Sequence, residues 1–174
     1  MNQFTRLSTA IALSVAAAAC GGALQPVAIP GAGDATMPRG ALNALRTQWP
    51  DAEIGQPTSV PCPTATGPSA PFGRGDLNGD GAEDLVLWLT SGGTSHLAAL
   101  LARTGGEFTA LEVGEMAAAT SQLEIARRST THRLRGLTVE GFFGLDTVVL
   151  RVCDGTRTAW FWTGRRFEPQ PLAN

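Results

Sequence analysis

Hydrophobic residues between Pro38 and Trp49 recur three and four positions apart, which is the spacing of one apolar face on a helix. The residues that form this face are Ala41, Leu42, Leu45 and Trp49. Pro38 suits the first turn of a helix, Thr36 is a suitable capping residue, and Pro50 ends the pattern. We therefore predict one helix over residues 38–49.

From residue 84 onward the hydrophobic runs are short and are separated by glycine-containing turns, which is typical of strands. The predicted strands are Leu85–Thr90, His96–Arg103, Glu107–Val113, Leu123–Arg128, Arg133–Glu140, Thr147–Cys153, Arg157–Thr163 and a last one near Phe167. The first three form a meander and the next two pair with each other. The sixth and seventh flank Asp154-Gly155, which is a strong hairpin signal. Residues 114–120 fit either a short helix or a loop.

These elements predict a mostly β, small α+β fold, namely an antiparallel meander or sandwich of six to eight strands with one N-terminal helix. No unit of 20–50 residues repeats along the chain, which excludes a propeller or a solenoid built from repeats. The 174 residues suffice for one domain. Residues 51–71 are rich in Pro, Thr, Ser and Gly, and we expect mostly loop there.

Residues 1–19 have the organisation of a signal peptide, with a positive start, an apolar stretch shorter than a membrane span and a small-residue cleavage site. Cys20 directly follows that site, which resembles the lipidation site of a bacterial lipoprotein, although Ala17 stands where leucine is usual. We expect a lipid-anchored protein of the periplasm or the cell surface. Cleavage after Ala19 or Ala23 without lipid, giving a secreted protein, is the alternative.

Residues 20–36 are small, rich in Gly and Pro and nearly uncharged, which favours a flexible tether. The folded domain is accordingly predicted to span residues 37–174. If Cys20 carries the lipid, Cys62 and Cys153 remain as a pair, and an oxidising compartment favours a disulfide between them. Two unpaired thiols are the alternative.

Residues 76–84 place oxygen-bearing side chains at relative positions 1, 3, 5 and 9, and Gly81 at position 6 permits a sharp turn. Ca²⁺ prefers six to eight oxygen ligands, whereas the absence of His and Cys from this loop makes zinc and copper a poor fit. Mg²⁺ is the weaker alternative, because a loop so rich in ligands suits a larger ion. The predicted ligands are the side chains of Asp76, Asn78, Asp80 and Asp84 and the backbone carbonyl of Ala82.

An EF-hand would need a bidentate glutamate at position 12, which is Leu87 here, and a helix where Leu85–Leu89 predicts a strand. The segment from Phe72 to Leu87 instead resembles the calcium-loop unit of FG-GAP and VCBS-type repeats. The resemblance implies Ca²⁺ in the loop, held by the same five residues. The family repeats this unit to build propellers, whereas this chain has one copy, and Trp88-Leu89-Thr90 stands where the repeat has Gly-Ala-Pro.

The formal net charge is −2 and the 13 basic residues are all arginine, so the composition does not suggest nucleic acid as a partner. We expect an exported calcium-binding protein with a non-enzymatic binding or structural role at the cell envelope. Its partner would be an envelope protein or a glycan, and its contact with the membrane would be through the lipid anchor only.

An envelope enzyme or enzyme inhibitor is the alternative function, using the arginine stretch Arg127–Arg135 or an aromatic face. Such a stretch can bind an anionic glycan or a lipid headgroup, but it is also typical of a solvated hairpin tip. A deep pocket gathering His132, Glu140 or Asp146 would favour this alternative. A filled interior, with most of the tryptophans and phenylalanines packed in the core, would favour the non-enzymatic interpretation.

Overall fold

The computed structural model describes residues 25–55, 71–115 and 121–173 of the chain. These ranges contain thirteen strands, eight of them with four or more residues, and one α-helix, α1 (Arg39–Gln48). All strand pairings are antiparallel. The mostly β, small α+β fold predicted from the sequence is confirmed.

The strands take their numbers from their order in the chain. They are β1 (Val27–Ala28), β2 (Thr36–Met37), β3 (Glu53–Ile54), β4 (Phe72–Gly75), β5 (Asp84–Ser91), β6 (Thr94–Ala102), β7 (Phe108–Glu115), β8 (Ser121–Ala126), β9 (Thr131–His132), β10 (Gly141–Phe142), β11 (Thr147–Val152), β12 (Arg157–Trp162) and β13 (Phe167–Pro171).

The helix forms where its apolar spacing predicts it, with Ala41 and Leu45 fully buried. Its capping residue is Pro38, which offers no side-chain acceptor, so the predicted cap at Thr36 is wrong. Thr36 lies instead in β2, where it pairs with Ala28 of β1. The backbone of the preceding segment is thus held by strand pairing rather than by a helix cap.

The first sheet contains five strands, and the predicted meander is its centre. β5, β6 and β7 pair in sequence, and β3 and β4 both pair along the other edge of β5. β4 pairs with the first half of β5, so that Gly75 lies opposite Asp84. This register brings the two ends of the intervening loop together.

The second sheet contains four strands in the order β13-β12-β11-β8. The hairpin predicted around Asp154-Gly155 is present as β11 and β12. The predicted pairing of residues 123–128 with 133–140 is wrong, because β8 pairs with β11 instead. Within 133–140 the pairing consists of one isolated bridge, from Leu134 to Leu172.

The main core lies between the two sheets, which pack face to face as a sandwich. The alternation along each strand decides which residues enter this core, because successive side chains point to opposite faces. Val86 and Trp88 of β5 meet Val148 and Leu150 of β11 there, and Trp160 packs at the edge. This interior is filled by side chains, as expected for most of the aromatic residues.

The other face of the first sheet is covered by α1 and by the segment before it. Leu85, Leu87 and Leu89 alternate with the main-core residues of β5 and pack under the helix. Ile29 is 2% exposed and belongs to the same cluster. Residues 25–36 therefore pack with the folded domain, whereas the sequence predicts a tether over 20–36 and a domain start at residue 37; residues 20–24 lie outside the described part of the chain. Burial of this one isoleucine and the β1–β2 pairing outweigh the linker-like composition.

The outer face of the second sheet is covered by the long connection between β8 and β11. Phe143 of this connection is 2% exposed and packs with Val149 and Ala159. The short strands β9 and β10 pair with each other within this connection, residues 127–146, which we call the flap. Within the described ranges, no helix is long and apolar enough to span a bilayer.

Candidate metal centre

The predicted calcium loop, residues 76–84, joins β4 to β5 and begins directly after Gly75. Its last residue, Asp84, is also the first residue of β5 and pairs with Gly75 across the strands. The loop is thus a long hairpin connection closed by strand pairing, and it leads directly into a buried strand. This local arrangement agrees with the strand predicted after the loop.

Hydrogen bonds from the loop backbone to its own side chains hold the loop in a tight turn. Asp76 accepts from the N–H groups of Gly79 and Gly81 through its two carboxylate oxygens, over 2.8 and 3.1 Å. Asn78 Oδ1 and Asp80 Oδ1 each accept from the N–H two residues later, over 2.9 and 2.8 Å. Each of these oxygens retains further acceptor capacity, because a carboxylate or carbonyl oxygen carries two lone pairs.

Asp84 is buried and fixes the base of the loop. Its two oxygens accept hydrogen bonds from the N–H groups of Leu77 and Ala102, over 2.9 and 2.8 Å. Burial raises the pKa of Asp84, the two backbone hydrogen bonds oppose this rise, and the neighbouring Asp80 and Asp76 add to it by repulsion. Asp76 and Asp80 are therefore close enough to disfavour the charge of Asp84.

No positively charged side chain compensates these three carboxylates within the described ranges. The ion pairs found there are Arg74–Glu83, His96–Glu112, Arg127–Asp146 and Arg166–Glu168, and none includes Asp76, Asp80 or Asp84. In the conformation shown, no three His, Cys, Asp or Glu side chains of the described residues converge on a point where a metal would sit. The carboxylates instead satisfy backbone N–H groups.

The chemistry of the donors nevertheless fits a hard cation. The side chains of Asp76, Asn78 and Asp80 each offer an oxygen acceptor at alternating positions, and the Ala82 carbonyl follows two residues later. These residues are exposed or partly exposed, whereas Asp84 is shielded behind them. Asn78 Nδ2 also donates to Asp80 Oδ2 over 3.0 Å, a contact that competes with a cation at that oxygen.

Asp146, which directly precedes β11 of the second sheet, is the loop's hydrogen-bond partner, a role that sequence analysis did not assign to it. Its carboxylate accepts from the N–H of Asp76 over 3.1 Å, from the N–H of Arg128 over 2.9 Å and from Arg127 Nη1 over 2.8 Å. Burial acts to raise the pKa of Asp146, but these hydrogen bonds and the Arg127 charge outweigh it, so the pKa is lowered. The loop is thereby attached to the strand end that carries Arg127.

Two glycines allow this close approach between the sheets. A Cβ at Gly75 would lie 2.7 Å from Asp146 Oδ2, and one at Gly79 would lie 2.8 Å from a methyl group of Leu145. Gly79 also has a φ of +81°, a conformation that other residues adopt at a cost. Gly75 and Gly79 are the sequence signal for such close contacts, but the sequence alone does not identify the residues that contact them.

The arginine stretch is divided between two locations. Arg127 pairs with Asp146 beside the predicted calcium loop, whereas Arg133 lies at a separate pocket with His132 and Glu140. Two of the three residues expected to mark a pocket therefore meet, and Asp146 does not join them. His96, the other histidine, pairs with Glu112 on the first sheet, with its Nδ1 2.8 Å from the carboxylate.

The predicted aromatic face is largely used inside the fold. Trp160 and Trp162 pack against the main core, and Phe161 points to the opposite side of β12. Phe142 is the exception, with 69% of its surface exposed.

The predicted lipidation and disulfide sites are not described in full. Cys20 and Cys62 lie outside the described residues, and Cys153 lies in the turn between β11 and β12. The lipid anchor and the Cys62–Cys153 disulfide therefore stay predictions.

Comparison with known proteins gives no relative from which a role can be transferred. No family model matches the chain, and no curated protein or solved structure matches it either. The resemblance of the loop to FG-GAP and VCBS-type units stays a prediction that rests on the loop residues alone.

Proposed function

We propose that residues 76–84 bind one Ca²⁺ and that the ion stabilises the fold of an exported, non-catalytic protein of the cell envelope. The observation that carries this proposal is the group of three uncompensated carboxylates, Asp76, Asp80 and Asp84, at one end of the sandwich. Their mutual repulsion opposes folding, and a divalent cation is the simplest species that removes it.

The groups that would hold the ion are the side chains of Asp76, Asn78 and Asp80 and the carbonyl of Ala82. The buried carboxylate of Asp84 would add negative charge at the base of the loop. When bound, Ca²⁺ supplies positive charge and accepts oxygen ligands. The protein's own part is to hold the loop ready, because backbone hydrogen bonds already fix three of these side chains. Asp84 and Asp146 attach the loop to both sheets, so binding free energy would appear as stability of the whole sandwich.

A structural role is favoured over catalysis by what surrounds the loop. Its side-chain oxygens accept from backbone N–H groups, and Arg127 forms its ion pair with Asp146 rather than with a loop carboxylate. The envelope location rests on the signal peptide and the Cys20 lipidation site predicted from the sequence.

Thermal unfolding of the exported full-length protein, in chelator and in millimolar Ca²⁺, tests the proposal. We expect a higher melting temperature in Ca²⁺, by an amount equivalent to roughly 2.7 kcal/mol when free Ca²⁺ is 100-fold above the dissociation constant. Calorimetric titration should give one ion per chain. Mg²⁺ at the same concentration should raise the melting temperature less, because its small octahedral shell suits this loop poorly.

The matched variants are Asp80→Ala, which removes a central ligand, and Glu83→Ala, which removes an exposed acid of the same loop that pairs with Arg74. Asp80→Ala should abolish the difference between chelator and Ca²⁺, and Glu83→Ala should keep it. Equal melting of the wild-type protein in both solutions, or an equal loss in both variants, would contradict the proposal.

A further inference from the structure

A second site lies on the far side of the second sheet, where the flap between β8 and β11 meets β12 and the C-terminus. It is a pocket of about 230 Å³, open to solvent. Its lining is polar and consists of Thr131, His132, Arg133, Glu140, Arg157 and Ala173. None of these residues takes part in the proposed metal loop.

An aromatic stack supports His132, one of the residues that line this pocket. The His132 ring lies parallel to the Phe143 ring, with 4.2 Å between centroids, and Phe161 of β12 closes the cluster at an angle. Gly141 pairs with His132 across the two strands, and a Cβ at Gly141 would lie 3.4 Å from Cε1 of the His132 ring. His132 is therefore fixed in place before any ligand arrives.

The rim is held by backbone hydrogen bonds to the C-terminal segment. Ala173 N–H donates to the Arg133 carbonyl over 2.7 Å, and Leu172 N–H donates to the Arg157 carbonyl over 2.9 Å. These two bonds bring an arginine of the flap and an arginine of β12 to the same opening. Sequence analysis singled out Arg133 but gave no sign of Arg157, which lies 24 residues further along the chain.

Two nitrogen atoms of the pocket-lining residues lack a hydrogen-bond partner. Arg157 Nε and His132 Nδ1 are both shielded from solvent and make no hydrogen bond. Neither Arg133 nor Arg157 forms an ion pair with any side chain in the described ranges. The guanidinium groups of Arg133 and Arg157 therefore bring positive charge to the pocket that no carboxylate of the described residues pairs, and an anionic ligand would supply the missing acceptor.

We infer that this pocket binds the carboxylate of a small molecule that carries a hydroxyl or ammonium group beside it. Two arginines and Glu140 together carry a formal charge of +1, which a carboxylate neutralises, whereas a phosphate dianion exceeds it. Arginine is suited to hold a carboxylate through two parallel hydrogen bonds. Glu140 at the rim accepts from the neighbouring hydroxyl or ammonium and disfavours a ligand with a second negative charge.

Nitrogen-detected and proton-detected NMR of the full-length protein tests this directly, because the arginine Nε–H groups give their own signals. The probes are lactate, alanine, propionate and inorganic phosphate. We expect lactate and alanine to shift the Arg157 Nε–H signal with saturation, propionate to bind more weakly because it offers nothing to Glu140, and phosphate to bind more weakly still. The same order is expected with Ca²⁺ or with chelator, because the pocket is separate from the metal loop.

Arg157→Gln and Arg165→Gln form a matched pair, since Arg165 is an exposed arginine in the turn after β12 that makes no contact with this pocket. Arg157→Gln should weaken lactate binding at least tenfold, as expected for the loss of a charged hydrogen bond worth about 1.5 kcal/mol or more. Because variants at position 157 lack the Arg157 signal, their binding is followed through the Nε–H signal of Arg133, which lines the same pocket. Arg165→Gln should bind as the wild type does, and a conservative Arg157→Lys variant should recover binding only in part.

Three outcomes would overturn the inference: no saturable shift with any carboxylate, tighter binding of phosphate than of lactate, or equal weakening by Arg157→Gln and Arg165→Gln. The thermal unfolding of each variant is measured alongside. A folded Arg157→Gln protein that still binds lactate as the wild type does would place the ligand elsewhere.

Discussion

The carboxylate of Asp146 accepts a hydrogen bond from the backbone N–H of Asp76, which lies 70 residues earlier in the chain. The donor belongs to the predicted calcium loop of the first sheet, and the acceptor directly precedes β11 of the second sheet. Because Asp146 also accepts from the N–H of Arg128, it fixes the loop relative to the end of β8. The candidate metal centre is thus part of the contact between the two sheets and not a free surface turn.

Replacing Asp146 by asparagine should destabilise the fold. The carboxylate, with a side chain 11% exposed, serves three donors, and an amide retains one acceptor oxygen for them. We expect a loss of about 1–3 kcal/mol in the free energy of unfolding, measured by urea denaturation, because at least one backbone N–H is left without an acceptor.

Asp154→Asn is the control for this substitution. Asp154 also accepts a backbone hydrogen bond, from the N–H of Thr156, but it lies in an exposed turn. Its replacement should leave the denaturation midpoint close to that of the wild type. An Asp146→Asn protein as stable as Asp154→Asn would show that the link between the sheets contributes nothing.

A comparison of Gly79→Ala with Gly81→Ala should separate the cost of backbone strain from the cost of side-chain packing. Both glycines have φ near +80°, so each substitution carries the left-handed penalty of about 1–2 kcal/mol. A Cβ at Gly81 meets nothing within 4 Å, whereas one at Gly79 would press against Leu145. Gly79→Ala should therefore cost about 1–3 kcal/mol more than Gly81→Ala by urea denaturation.

A Leu145→Ala background provides the check on this comparison. Removing the leucine methyl groups opens the space that a Cβ at position 79 needs. In that background the two alanine variants should be destabilised almost equally. If the difference between them persists, the packing explanation is wrong.

The sequence predicts the local part of this architecture well. The helix, the three-stranded meander and the Asp154-Gly155 hairpin depend on spacing and on turns of a few residues, and all three are present. The pairing of β8 with β11 is different, because it joins strands separated by about twenty residues of flap. Nothing in the local pattern distinguishes this partner from the segment 133–140, which follows β8 more closely.

The candidate sites show the same division between local and long-range information. The loop's own hydrogen bonds link residues two to seven positions apart, and the spacing of Asp76, Asn78 and Asp80 is enough to anticipate such a turn. Asp146 and Arg157 reach their sites through sheet pairing, so they could not be assigned before the topology was known. Ile29 was missed for a related reason, since composition describes a segment's average and not one buried residue.

Gly40→Ala should destabilise the protein although alanine is the better helix former. In an open helix position this substitution favours the helix by about 1 kcal/mol. Here the added Cβ would overlap the backbone carbonyl oxygen of Gly106, which cannot move as a side chain does. We expect the overlap to outweigh the helix preference, for a net loss of about 1–2 kcal/mol in thermal or urea unfolding.

Asn43→Ala in the same helix is the comparison. Asn43 is exposed, so alanine there should raise the stability by up to about 0.7 kcal/mol through helix preference alone. Opposite signs for the two variants would establish the contact between α1 and the turn at residues 104–106. A stabilising Gly40→Ala would mean that this turn does not lie against the helix.

Asparagine at position 84 and asparagine at position 80 should have different effects, because Asp84 holds the loop in shape whereas Asp80 would bind the ion. Asp84→Asn changes a buried group whose two oxygens accept from Leu77 and Ala102, and an amide can serve only one of these donors. The unsatisfied donor costs about 1–3 kcal/mol. Part of this is offset, because burial raises the pKa of Asp84 and a neutral amide avoids burying a charge. We therefore expect a loss of about 1 kcal/mol in chelator and a further loss in Ca²⁺.

Asp80→Asn should behave differently in the two solutions. Asp80 is exposed and an amide oxygen can still accept from the N–H of Ala82, so stability in chelator should stay within about 0.5 kcal/mol of the wild type. In Ca²⁺ the lost negative charge should weaken binding and remove much of the ion-dependent gain in melting temperature. If Asp80→Asn lowered stability in chelator as much as Asp84→Asn does, Asp80 would be a structural residue of the loop, and its assignment as a ligand would lose its support.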